Sequence, residues 1–335
     1  MALGTPESIV ASPPKATHSF TPPLQDLLWL NVYSRRPLLD AHWKALLYVV
    51  ESRGGQDLPS MEFHNYQIHV ADAIQASLKL SAPSLPLCQR YRELRKIENR
   101  HNAFGVAGIE ISFEAFGKSI SLPECALSPN VIEALVDLYA YTTLLDQYCR
   151  EAHDDHNLAR LGLHRVLVQL QLMSALFPTE NGDLDQPSSD NRLGAVIKSA
   201  ALLFALAVTF PVSNPEPVQI VVGRLKAALE NVGIKASTSD SHQDIYTWAC
   251  ILGALGASDV PQKEWFASQL ANQEFERSRR TAGLSQCSSW DEIYQVLARF
   301  LWLDLACNTA AHKVWLQVQE MVTIRLNQSR ILETT

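Results

Sequence analysis

His153-Asp154-Asp155-His156 is the nearest approach in this chain to a metal-ligand cluster, and the chemistry of such a set would be the holding of a hydrophilic cation. Consecutive side chains splay around a helix instead of converging, so the run reads as a solvated helix end or turn. Asp154-Asp155 also lacks the further aspartate, one helical turn on, that an all-helical prenyl-diphosphate enzyme would need, because position 158 is Leu158. Zinc-dependent hydrolysis calls for H-E-x-x-H, which does not occur. Nor does either glycine pattern that lets backbone approach a phosphate at a helix start. Gly253 and Gly256 sit in the apolar run ILGALGAS and read as close-packing positions. Gly283-Leu284-Ser285-Gln286-Cys287 starts like a nucleophile elbow, G-x-S-x-G, and fails at its last position. With six cysteines and ten histidines, a chance Cys-His pairing carries no weight. The sequence therefore assigns no catalytic, no cofactor-binding and no metal-binding residue, and it implies no cofactor.

The cysteines themselves (Cys88, Cys125, Cys149, Cys250, Cys287, Cys307) are scattered, with no C-x-x-C pair, as expected of buried thiols in a reducing compartment. Two basic runs, Arg90 to Arg100 and Arg277 to Arg280, are interleaved with or preceded by glutamates at helical ion-pair spacing. They read as solvated mixed-charge faces, with a nuclear import signal or a docking patch as the alternative. A net charge of −7 argues against a direct nucleic-acid partner, since tracking phosphates needs dense positive charge.

The elements that would position any site are helical. A chain of 335 residues with 47% apolar content can bury a large core. Met1 to Pro23, rich in proline, serine and threonine, predicts an extended tail, with a single helical domain from Leu24 to the end. Trp43, Leu46, Leu47 and Val50 form one stripe, with Asp40 placed to cap it and Gly54-Gly55 to stop it. Ser128-Pro129 starts a second helix, striped by Val131, Leu135, Leu138, Thr142, Leu145 and Cys149, and Leu158 to Phe177 predicts a third. Leu193 to Val212 is broken by Lys198, Ser199 and Pro211 and predicts a buried core helix, not a membrane span. Residues 178 to 191 predict a solvated loop, Val218 to Leu229 a further helix, and Ser289-Trp290-Asp291-Glu292 a capping box opening a stripe that runs from Ile293 to Leu301. Gly105 to Leu122 alternates apolar and polar residues, which permits one small β-hairpin near 105–122. The fold class is all-α, an irregular multi-helix array.

Two stretches go further. His42-Trp43-Lys44-Ala45-Leu46-Leu47-Tyr48-Val49-Val50-Glu51-Ser52-Arg53-Gly54-Gly55 resembles the "His, helix, Arg-Gly-Gly" signature of the fungal-specific transcription factor regulatory domain, the middle homology region of zinc-cluster regulators. Trp248 and Gly253, then Trp265-Phe266, Ser289-Trp290, Phe300-Leu301-Trp302 and Trp315, resemble that family's tryptophan-marked C-terminal helices in order and spacing. The resemblance runs over most of Leu39 to Val318. It implies a regulatory helical scaffold whose motifs are structural, so it carries over no catalytic residue. Family members usually begin with a compact six-cysteine zinc module that reads DNA, whereas Met1 to Leu87 contains no cysteine. Much of the helical region that normally precedes the signature is missing as well.

The expectation is a transcription-factor-like regulatory protein without its own DNA-binding domain. It would act in the nucleus or cytoplasm on a fungal secondary-metabolite gene cluster. Its partner would be a protein, either a full-length zinc-cluster regulator or a second copy of itself, with no direct nucleic acid, no membrane and room for a small-molecule ligand. The alternative is a cofactor-free cyclase or isomerase using an apolar pocket on the same scaffold. An inert remnant, or a fragment lacking an upstream exon, is a third reading. An exposed apolar face on the first helices would favour the partner-binding regulator; a closed pocket with convergent polar groups would favour the enzyme.

Overall fold

A computed structural model of the chain describes residues 18–54, 62–89, 116–118, 120–121, 125–151, 155–178, 192–232, 239–280 and 287–333, and every regular element among them is helical. A short turn, Leu27–Trp29 continuing as Leu30–Tyr33, precedes α1 (Asp40–Ser52) and α2 (Glu62–Lys79). There follow α3 (Pro129–Arg150), α4 (Asp155–Leu176), α5 (Arg192–Phe204) and α6 (Pro215–Val232). The chain closes with α7 (Asp240–Gly256), α8 (Val260–Arg280), α9 (Trp290–Leu297) and α10 (Asp304–Glu333). The all-α class read from the sequence is therefore the observed one. Residues 105–115 of the permitted hairpin lie outside the described residues, and Phe116–Lys118 and Ile120 are helical.

The centre of the molecule is α5, which runs on through one wide turn, Ala205–Thr209. From Ala200 onward it is apolar all round, so it can satisfy itself only by being surrounded, and Ala200 to Val208 are each at most 3% exposed. Arg192–Thr209 is long and apolar enough to cross a membrane, but 78% of it is buried inside the protein. α6 and α7 pack on it, α3 and α2 both pack on α4, and α8 bridges α7 to α10. Small residues set the closest approaches. A methyl group on Gly253 would lie 2.3 Å from the Phe266 ring, and one on Gly256 2.9 Å from Leu203 and Val222, as expected of close-packing positions.

The helix ends follow the sequence closely. Pro129 occupies the first turn of α3 behind an extended Ser128. Ser289 and Glu292 form a complete capping box, the Glu292 N–H donating to Ser289 Oγ at 3.3 Å and the Ser289 N–H to Glu292 Oε2 at 2.7 Å. Gly54 takes a left-handed φ of 88° after α1. Asp40 is the exception. It lies inside the first turn, with Leu39 at the cap, and its carboxylate goes instead to Lys79 Nζ at 2.6 Å, tying α1 to the end of α2. α9 also stops at Leu297, so Phe300 and Leu301 are buried from a turn and not from the expected stripe. At the N-terminus, residues 1–17 of the expected tail lie outside the described residues, and the chain is packed well before Leu24. Phe20 is 4% exposed, and the Ser19 and Thr21 N–H groups donate to the carbonyls of Leu255 and Ala306. One aromatic side chain outweighs the polar composition around it.

Candidate functional site

One face of α2 carries Gln67, Val70, Ala71, Ile74 and Gln75, spaced three and four residues apart. The turn at 27–33 stands over that face and leaves a half-open groove of about 680 Å³ between them. Its floor is Val70, Ala71 and Ile74, and its walls are Leu28, Trp29, Tyr33 and Leu38. The polar groups on its lining are the hydroxyls of Tyr33 and Tyr66, the amides of Gln67 and Gln75 and the indole N–H of Trp29. Gln75 is only 3% exposed, and its Oε1 accepts the Leu38 N–H at 3.1 Å. Its Nε2, and the hydroxyl of Tyr66, have no hydrogen bond among the described residues.

The wall of the groove is held in an unusual conformation. Leu24, Leu28 and Trp29 have φ of 52°, 66° and 54°, left-handed values that cost a side-chain-bearing residue about 1 kcal/mol or more each. Arg165 of α4 holds this turn from behind. Its Nη1 donates to the carbonyls of Leu24 at 2.9 Å and Leu27 at 3.5 Å, and its Nε to Tyr141 Oη at 3.1 Å. Arg165 is 1% exposed, has no carboxylate partner among the described residues, and leaves Nη2 without a hydrogen bond. Burial raises the pKa of Tyr66 and of Tyr141, and the positive charge of Arg165 opposes that rise at both. Gly162, one turn before Arg165, gives Tyr66 its place: a methyl there would stand 3.3 Å from Tyr66 Oη and 3.4 Å from Leu28.

Beside the groove, α1 shows apolar residues on both sides. Trp43 and Val50 face inward, Val50 forming a small cluster with Ile68 and Leu85 apart from the main core, while Trp43 Nε1 donates to Ser84 Oγ at 3.0 Å. Leu39, Tyr48 and Val49 face solvent at 68%, 70% and 44% exposure, and Trp29, Val32, Tyr33 and Leu38 are exposed on the segment before them. Asp72 fixes the segment after α2, accepting the N–H groups of Ser84 and Leu85, each at 2.9 Å.

His153 and Asp154, the side chains of Asp155 and His156, Arg90 to Arg100 and Gly283 to Gln286 lie outside the described residues. No group of three metal-ligating side chains occurs among those that are described. Cys88 meets His69 through its backbone, whose N–H donates to Nε2 at 3.4 Å. Arg277 and Arg279 pair with Glu274 at 3.1 Å and Glu276 at 3.9 Å, as the helical spacing predicts. Glu274, however, is buried, and accepts Ser288 N–H at 3.1 Å, Ser288 Oγ at 2.8 Å and the Cys287 thiol at 3.8 Å. Burial, reinforced by Glu274, pushes the Cys287 thiol up to about 12, so it is no nucleophile at neutral pH. Trp315 Nε1 and Gln319 Nε2 donate to the Ser288 carbonyl, making this a structural knot between α8, α9 and α10.

Sequence reasoning missed Arg165, Gln75 and Tyr66. Arg165 was visible as a charge in an otherwise apolar stripe with Leu161, Val168 and Leu172, the pattern of a buried cation with a task. Gln75 gave no such signal. None of the protein-family models, curated proteins or solved structures compared with the chain matches it.

Proposed function

We propose that this chain is a transcription-factor-like regulatory protein that works through protein contacts, with DNA contacted by its partner, in the control of a fungal secondary-metabolite gene cluster. The observation that carries this reading is the exposure of seven large apolar residues between Trp29 and Val49, on the turn, on the segment that follows it and on α1. Surfaces of that kind mark contact sites, because leaving them wet forfeits the free energy their burial would release. The helix concerned is the one whose residues resemble the regulatory-domain signature. A cofactor-free enzyme would instead need acid or base groups converging in the groove, and its described lining offers two phenols and two amides but no carboxylate, imidazole or thiol.

Deleting the gene and measuring cluster transcripts together with metabolites tests the proposal. Lowered transcripts are the expected outcome; unchanged transcripts with altered metabolites would overturn it in favour of catalysis. Complementation with Leu39→Glu/Tyr48→Glu should then fail although the protein accumulates and melts normally, since both side chains are solvent-facing. Full rescue by that variant would show that this face is not the contact.

A further inference from the structure

The walls of the groove between the 27–33 turn and α2 are wet in the isolated chain: Trp29, Tyr33 and Leu38 are all exposed. Its floor runs along α2 from Gln67 to Gln75, about 12 Å of helix. Two turns of a second helix, from an anchor at i to one at i+7, cover about 10 Å. The backbone N–H and C=O groups of the floor are spent within α2, so an extended peptide would find no strand edge to pair with. A helix, which satisfies its own backbone, forfeits nothing there. The charge beside the groove is opposite in sign to that of the chain. Arg35 and Arg36 are exposed on the segment between Tyr33 and Leu38, two residues that line the groove. Arg35 Nε donates to the Asn31 carbonyl at 2.8 Å, and neither guanidinium pairs with a carboxylate among the described residues. Lys44 and Arg53 add exposed positive charge on and after α1. The carboxylates between Trp29 and Gly54 are Asp40, which Lys79 takes up, and Glu51. Four Lys and Arg against two acids in this stretch reverse the balance of a chain whose net charge is −7. A lipid surface would be met by an apolar face laid flat on it, whereas this one is hollow.

We propose that the groove docks a short amphipathic helix of a protein partner, acidic on its polar face, with its apolar anchors seated between Trp29, Tyr33 and the Val70–Ile74 face and its carboxylates beside Arg35 and Arg36. The inference rests on the protein-contact reading above and names the chemistry of the partner. The apolar walls supply the burial, and about 680 Å³ has room for more than one anchoring side chain. The neutral amides and hydroxyls on the lining accept and donate alike, so they do not choose between partners. The choice is made at the rim, where Arg35 and Arg36 attract carboxylates and repel a basic helix.

Fluorescence anisotropy of the full chain with four labelled helical peptides of one length tests it. Three share leucine anchors at i, i+4 and i+7 and carry glutamate, glutamine or lysine among alanines on the polar face; the fourth keeps the glutamates and replaces the anchors by alanine. Non-specific attraction to a chain of net charge −7 would favour the lysine peptide, so the two explanations give opposite orders. The glutamate peptide should bind about tenfold more tightly than the glutamine one and the lysine peptide most weakly, a preference that shrinks as salt is raised. The peptide without anchors should not bind. Arg35→Glu/Arg36→Glu, at two exposed positions, should reverse the order of the glutamate and lysine peptides. Ala71→Phe, at a half-buried floor position, should abolish binding of all of them in protein that melts normally. The lysine peptide binding tightest, no peptide binding at all, or a glutamate preference that survives the double charge reversal would each overturn the proposal. Sedimentation with phosphatidylserine vesicles, lost on the double reversal while no peptide binds, would overturn it in favour of a membrane surface. Lowered cluster transcripts on gene deletion, with no peptide bound, would keep the regulatory reading and move its contact elsewhere on the molecule.

Discussion

Arg165 is a guanidinium taken out of water and compensated, among the described residues, by carbonyl and phenol oxygens, each a weaker offset than a carboxylate. What it receives in return is control of geometry. Two of those oxygens belong to a turn in which three residues sit at left-handed φ, and without a clamp that turn would relax toward ordinary values. Arg165→Met keeps the bulk and removes the donors. We expect it to lower stability by about 2 kcal/mol, as a shift in the denaturant midpoint, because the loss of hydrogen bonds outweighs the desolvation relieved. Arg165→Lys should recover only part of this, since a single ammonium does not span the same oxygens. A midpoint unchanged in both variants would show that the turn holds itself.

At the level of elements, the helix ends and the glycine contacts are where sequence and structure agree most closely, because both are decided within a few residues. The Ser289-Glu292 box needs nothing beyond its own four positions, and Ser289→Ala should cost about 1 kcal/mol. Its pH dependence has a definite sign. The backbone N–H and hydroxyl of Ser289 hold Glu292 below its ordinary carboxylate value, so the folded state binds its proton less readily than the unfolded chain. The contribution is present above the ordinary glutamate range and disappears as pH falls through the lowered value. Melting Glu292→Gln beside the parent across that range should show the gap closing toward acid; a constant gap would contradict the assignment. Gly253→Ala tests the α7–α8 crossing: the Phe266 ring is fully buried and cannot swing aside, so about 3 kcal/mol should be lost. What was not legible was the long-range pairing. Asp40 looks like a cap from its neighbours alone, but its partner Lys79 stands at the far end of the next helix. Gln75 and Tyr66 likewise look like ordinary helical polar residues until the 27–33 turn is placed over them, and no periodicity in the sequence encodes that placement.

For the molecule as a whole, the burial pattern divides it unequally. α5, α6 and α7 share one continuous core with α3, α4, α8 and α10, and their inward residues are almost wholly buried. α1 is fastened differently, by the Val50-Ile68 cluster, the exposed Asp40–Lys79 ion pair and the Trp43–Ser84 hydrogen bond, while Leu39, Tyr48 and Val49 stand exposed. An exposed ion pair contributes at most about 1 kcal/mol, and the small cluster removes only a few side chains from water. The free energy of opening α1 should therefore lie well below that of global unfolding. Native-state hydrogen exchange is the direct measurement. Amides of α1 should exchange through a local opening that barely depends on denaturant, whereas those of α5 and α7 should exchange only with global unfolding. A bound partner covering Leu39 and Tyr48 should slow α1 specifically, because it supplies the missing half of that helix's burial. If α1 in the isolated chain proved as protected as α5, the exposed face would not be the weakly held surface that a docking role requires, and the contact would have to be sought elsewhere on the molecule.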